Sequence, residues 1–262
     1  MLSGTFSDLL PDWLGQVVLG LVAGFLVTMV ANVCTTVYLH RALSHRGLTL
    51  RQPVTFVFRV LVWMTTGIKP RQWVAVHRKH HAFADVEGDP HSPKLLGWVR
   101  VQLTNVSLYR REANNPLTVA RYAKDLPPDR WDRILFDRSL LGLGLGVALM
   151  VWVLGPVAGI VAAVVHANLY LATSAAVNAM GHHFGRRPYD NLAGNLQWLA
   201  WLTAGEGLHN NHHAAPTSAR LSHRRGEFDP GWWVISVLRR FGVAKVRLNE
   251  VRLVRSSPRR AA

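Results

Sequence analysis

The sequence predicts an all-α integral membrane protein, with three to four transmembrane helices beneath a cytoplasmic helical cap. Three observations carry this expectation. Residues 13–39 and 139–178 contain no Lys, Arg, Asp or Glu, whereas one span needs only about 20 apolar residues. The net charge of +15 is segregated by those stretches: residues 1–39 hold two acids and no base, 40–138 hold 17 bases against 8 acids, and 179–262 hold 13 against 5. Finally, nine of the thirteen histidines fall into three short boxes and one flanking position, outside the apolar interiors. By the positive-inside rule both basic segments face the cytoplasm and the acidic N-terminus lies outside. A nucleic-acid-binding protein could carry the same charge, but its bases would not be divided by apolar spans.

In chain order, residues 13–39 read as a single inward-running span, with Trp13 at its outer interface. Asp8 and Asp12 stand where a secretory signal would carry its positive n-region, so no cleaved signal is expected. Asn32, Thr35 and Thr36 lie in the inner third, where polar residues face protein or a cavity. His40 and His45 follow at once. They are five apart, which is not one α-helical face, so the helix bends or ends between them or the two reach different metals. Residues 53–68 are apolar but short for a span and interrupted by Arg59, and read as an interfacial or re-entrant helix. A crossing there would put the first and second boxes on opposite sides. Trp63 and Trp73 read as interfacial packing residues.

The second box, His77, His80 and His81, has helical i, i+3, i+4 spacing, with Arg78 and Lys79 turned to solvent. Asp89-Pro90-His91-Ser92-Pro93 is a turn, and Asp89 and His91 are expected to support ligands rather than to ligate. The cap comprises residues 69–138 and 179–255 of one domain covering 1–262, broken at Asn114-Asn115-Pro116 and Pro127-Pro128. Between its halves, 139–155 and 157–178 form a helical hairpin turning at Gly155-Pro156. No strand precedes Gly142, Gly144 and Gly146, which are expected as close-packing positions between spans, not a nucleotide loop. His166 lies too deep in the hairpin to meet the boxes and is expected to be buried and hydrogen-bonded. After Asn178, His182 and His183 come a polar turn at 185–195, a short apolar helix at 196–204 and the third box, His209, His212 and His213. Trp232 and Trp233 sit on a helix expected to rest on the membrane, and the tail 256–262 is expected to be disordered.

Chemistry follows from the imidazoles. Neutral histidine suits mid-series transition metals, and nine rings divide into about four or five per ion, which implies two ions. Iron fits the nitrogen donors and O₂ chemistry; zinc is the runner-up, although structural zinc closes with four ligands. Cys34 is the sole cysteine, so neither an internal disulfide nor a thiolate-held iron–sulfur cluster can form. Electrons must come from another molecule.

The boxes at 40–45, 77–81 and 209–213, the Gly205-Glu206-Gly207 lead-in, and Asn178 four residues before His182 resemble the membrane fatty acyl desaturases, near the acyl-CoA delta-9 branch. The resemblance covers roughly residues 30–235. It departs in one respect: one span precedes the first box where the family usually has two. It implies four spans, a cytoplasmic cap, an acyl tunnel and two iron ions held by His40, His45, His77, His80, His81, His182, His209, His212 and His213, with Asn178 contacting iron through water. Glu206 would either accept from a ligating histidine or serve as a helix-start carboxylate.

The expected reaction is O₂-dependent insertion of a cis double bond into a thioester-linked acyl chain, acyl-CoA favoured over acyl carrier protein. Electrons would come from a ferredoxin, rubredoxin or cytochrome b5 with its reductase. A hydroxylase or acetylenase could use the same site. A histidine-lined metal transporter is the distant alternative, but it would line its spans with ionisable groups, and the hairpin has only His166. The expected location is the cell membrane, multi-pass, with the site cytoplasmic and no nucleic-acid partner. Of the adjacent pair, His182 is expected on the Asn178 face of the last span and His183 turned away.

Overall fold

The computed structural model describes residues 12–247 and 253; the expectations for the external N-terminus and for the tail at 256–262 lie outside the described residues. Helix α1 (Asp12–Cys34) runs without a break into a π-helical segment, Thr35–Ser44. A two-stranded antiparallel sheet then pairs β1 (Leu48–Leu50) with β2 (Ala244–Val246), Leu48 opposite Val246. This small sheet corrects the all-α expectation. Three residues are too few to read as a strand, and the partner lies 196 residues away.

Helix α2 (Gln52–Thr66) ends at Gly67, whose φ of 63° is the left-handed conformation that glycine adopts freely. The cap helices follow: α3 (Pro70–Phe83), α4 (Pro93–Leu96), α5 (Trp98–Ala113) and α6 (Pro116–Tyr122). Proline opens α3, α4 and α6, where its missing N–H costs nothing. The hairpin consists of α7 (Ser139–Leu154) and α8 (Pro156–Ala179), and the chain closes with α9 (Gln197–Leu202), α10 (His209–Ala214) and α11 (Pro230–Arg240).

Two helices are long and apolar enough to cross a bilayer, Asp12–Ser44 with 33 residues and Pro156–Ala179 with 24; α7 is as apolar but shorter. A band of exposed aliphatic and aromatic side chains runs over α1, α7 and α8, and Leu140 and Trp152 within it are 84% and 81% exposed. Glycines set the approach of these helices. A Cβ at Gly20 would lie 2.6 Å from Val161, and one at Gly24 would lie 2.7 Å from the Ala162 carbonyl, so α1 rests directly on α8. Gly142 is pressed against the Trp63 ring, and Gly146 against the Met64 carbonyl. Their partner is therefore α2, not another span, and Gly144 faces open space. That corrects the expected role of this trio.

His166 is buried on α8. Its Nε2–H donates to the Thr65 carbonyl on α2 (2.7 Å), and Nδ1 lies 3.1 Å from the Thr28 hydroxyl on α1. It ties three helices and takes no part in the histidine clusters. Arg59, which interrupts α2, pairs with Asp129 and Asp132 and lies 4.4 Å over the Phe136 ring. Arg78 and Lys79, expected in solvent, also find partners. Arg78 donates to the Leu43 and Ser44 carbonyls and to Asp125, and Lys79 to Glu112. Those bonds dock α3 onto the end of the π-helical segment and onto α5, which is why the basic residues of the second box turn inward.

Candidate metal centre

The first box is shaped by the π turn. Five residues on in an α-helix are ~140° apart, but here the His45 N–H donates to the His40 carbonyl at 3.1 Å, an i→i+5 bond. The two rings come to 4.8 Å of each other. Neither a bend nor a second metal is needed to use both.

Helix α3 supplies His77, His80 and His81, α10 supplies His209, His212 and His213, and the turn after α8 supplies His182. The nine rings sort into two groups. His40, His45, His77, His81 and His212 form one, and His80, His182, His209 and His213 the other; within each group one ring nitrogen per residue lies within 4.8 Å of all the rest. Each helical box therefore serves both groups. The i, i+4 pair His77/His81 goes to the first and His80 to the second, while His209/His213 goes to the second and His212 to the first.

The Nε2 atoms converge. Separations are 2.7 Å for His45–His77, 2.8 Å for His81–His212, 3.0 Å for His40–His212, 2.9 Å for His182–His209 and 3.2 Å for His80–His182. Burial, followed by the neighbouring imidazoles, pushes His77, His81, His209, His212 and His213 well below the ordinary histidine pKa. His45 is lowered in the same way, with Arg78 adding to the effect. At neutral pH these are neutral rings with lone pairs pressed together, a donor set that fits two transition-metal ions.

Carboxylates fix the outer nitrogens. His40 Nδ1–H donates to Glu206 at 2.7 Å, His80 Nδ1–H to Asp89 at 3.0 Å, and His182 Nδ1–H to Asp85 at 2.7 Å. Such bonds set the tautomer and leave Nε2 free inward. Glu206 thus contacts His40 and also accepts from Thr36; it does not cap α10, whose N-cap Leu208 has no side-chain bond. Burial raises the Asp89 pKa, but the bond from His80 and the nearby imidazole charge outweigh it and hold the carboxyl at about 2. Asp85 was not anticipated. It accepts from Ser92 as well as His182, yet nothing in its spacing separates it from Glu87 in the sequence.

The remaining predicted residues fall around this centre. His91 stacks on His80 at 4.8 Å and donates its backbone N–H to Asp89; its two ring nitrogens are buried and unpartnered among the described residues. Asn178 lines a cavity together with His77, His91 and His209 and accepts the His182 N–H at 3.3 Å through its carbonyl. His182 is buried and His183 exposed against Trp98. Trp73, expected as a packing residue at an interface, stacks flat on His77 at 4.9 Å and lines the same cavity. The cavity lies between α1, α3, α5 and α8, and Asn32, Thr35, Val76, Asn105, Tyr109, Ser174 and Val177 complete much of its wall.

The sequence profile of the family described as fatty acid desaturase matches residues 11–225. The chain belongs to the fatty acid desaturase family. It is 29% identical over 237 residues to the Delta-9 acyl-lipid desaturase 2 of Arabidopsis thaliana, covering 84% of this chain and 72% of that protein. It is 30% identical to the icosanoyl-CoA 5-desaturase of Limnanthes douglasii (88% and 64% covered) and 28% identical to the sn-1 stearoyl-lipid 9-desaturase of Synechocystis sp. (90% and 73%). The chain is an oxidoreductase of fatty acid metabolism, and the histidine groups described above are the metal-binding candidates of this desaturase.

Proposed function

We propose that this desaturase inserts a cis double bond into a CoA-linked acyl chain, using O₂ and two iron ions, one held by the five-imidazole group and one by the four-imidazole group. The single observation behind this reading is the convergence of nine imidazole donors into two adjacent sets. When bound, the ions supply the O₂ chemistry that removes one hydrogen from each of two neighbouring methylenes. The protein's part is placement. Trp73, Val76 and Val177 offer the apolar wall along which a chain can lie beside His77 and His209. Asn178 faces the same cavity and can hold a water toward the centre. Asp85, Asp89 and Glu206 keep the Nδ1 protons in place so that Nε2 stays a donor.

The exposed apolar band on α1, α7 and α8 supports a multi-pass location in the cell membrane, and the charge asymmetry supports a cytoplasmic centre. Three spans would follow if α7 crosses with α1 and α8, with α2 lying in the interface so that the first and second boxes share one side. A ferredoxin, rubredoxin or cytochrome b5 would deliver electrons. The named relatives act on lipid-linked and on CoA-linked chains, so the head group is open to a direct assay. Purified iron-loaded enzyme reduced chemically would be given stearoyl-CoA, stearoyl-acyl carrier protein and a stearoyl glycerolipid. A new cis double bond on the CoA substrate, read by mass spectrometry, is the expected product. Turnover of another carrier alone overturns the choice of CoA, and a hydroxyl or triple bond overturns desaturation.

A further inference from the structure

Five arginines gather on the outer side of the third box. Some bases elsewhere pair with acids: Arg59 with Asp129 and Asp132, Arg78 with Asp125, Lys79 with Glu112, Arg41 with Asp229. By contrast Arg186, Arg187, Arg220, Arg224 and Arg225 are all exposed, and among the described residues none forms a salt bridge. The acids near them offset little. Glu227 is engaged by Asn211 Nδ2 (2.8 Å) and by the His223 and Arg224 amides, which leaves exposed Asp190.

Three of these arginines, Arg186, Arg187 and Arg224, line an open concavity with Gln197, whose Nε2 is buried without a partner among the described residues. The surface is thus rich in unspent donors. It also lies one layer from the metal centre. Arg186 and Asn195 exchange backbone bonds at 3.0 and 2.7 Å, and the Asn195 side chain accepts the amides of Asn210 (2.9 Å) and Asn211 (3.2 Å), the residues next to His209 and His212. Leu208, adjoining His209, forms part of the concavity itself.

We propose that this arginine face is where an acidic one-electron carrier protein docks. The inference rests on the desaturase reading, whose stoichiometry requires such a partner. Forming one double bond takes up one O₂, two electrons from the two broken C–H bonds with their two protons, two electrons from carriers and two further protons, and releases two waters. Two reduced carriers must therefore dock in turn, and each leaves oxidised by one electron. A CoA head group is the less suitable occupant. The concavity shares no residue with the cavity bearing Trp73 and Asn178, at whose mouth the head group of a bound chain would sit.

The test is binding, which needs no turnover. Full-length metal-free protein in nanodiscs is titrated with an oxidised [2Fe–2S] ferredoxin of net negative charge. Wild type binds, and Kd rises at least tenfold between about 50 and about 300 mM salt, as screening of a charged interface demands. R186E/R224E raises Kd about tenfold or more at low salt, whereas R110E/R111E on α5 leaves it unchanged. An unchanged Kd in R186E/R224E, an equal loss in R110E/R111E, or salt-independent binding by wild type overturns the proposal. So does a tenfold loss of stearoyl-CoA affinity in R186E/R224E with ferredoxin binding intact. A separate arm protects against confusing the two readings. Dithionite-reduced, iron-loaded wild type should form a double bond in a single turnover without any carrier; failure there sinks the desaturase reading while the binding result stands.

Discussion

At the scale of single residues, the adjacent pair His182 and His183 offers the sharpest contrast. One is buried among four inward-facing rings and holds Asp85, and the other is exposed against Trp98. His182→Ala should cost one bound ion per chain, measured by elemental analysis, whereas His183→Ala keeps both. The reverse pattern would mean that the chain after α8 has a different register. Asp85→Asn keeps the shape but weakens the partner of the His182 Nδ1 proton, and should lower metal affinity about 10- to 100-fold in a chelator competition. An unchanged affinity would reduce Asp85 to a structural role. The histidines were legible because no apolar core accommodates three adjacent imidazoles, and Glu206 was legible through its place beside the third box. Asp85 and Trp73 were not, because their importance lies in a contact made across the fold rather than in spacing along the chain.

At the scale of elements, the first box shows where periodicity runs out. A five-residue spacing fits no α-helical face, and only the i→i+5 hydrogen bond, invisible in residue types, brings His40 and His45 together. The hairpin with its turn at Gly155-Pro156 was readable from an uncharged run and a proline. The partner of its glycines was not, because Gly142 and Gly146 meet α2, a helix too short to announce itself as a packing partner. That arrangement makes a paired prediction. Gly142→Leu drives a side chain into Trp63 and should destabilise by about 1–3 kcal/mol, while Gly144→Leu faces open space and should leave the thermal midpoint in detergent unchanged. Equal effects at the two sites would contradict the packing of α7 on α2.

At the scale of the whole molecule, the centre stores a pH dependence. Burial lowers His45, His77, His81, His209, His212 and His213 well below their unfolded value near 6.5. Below that value the unfolded chain binds protons that the folded chain refuses, so stability falls as pH drops and is fully present above it. The metal-free protein should therefore keep a constant thermal midpoint between pH 7.5 and 8.5 and lose stability steadily from about pH 6.5 downward. A midpoint indifferent to pH from about 7 to about 5 would show that the rings are not buried neutral donors. The uncharged runs made the long apolar helices α1 and α8 legible. The short β1–β2 sheet was not, since its pairing joins segments 196 residues apart in the chain. The central claim is that nine imidazoles form one five-ligand and one four-ligand iron site. The most direct measurement is iron per chain in purified wild type, His212→Ala and His213→Ala. The account predicts two ions in wild type and the loss of a different single ion in each variant, distinguishable by Mössbauer spectroscopy. One ion in wild type, or the same ion lost in both variants, would contradict it.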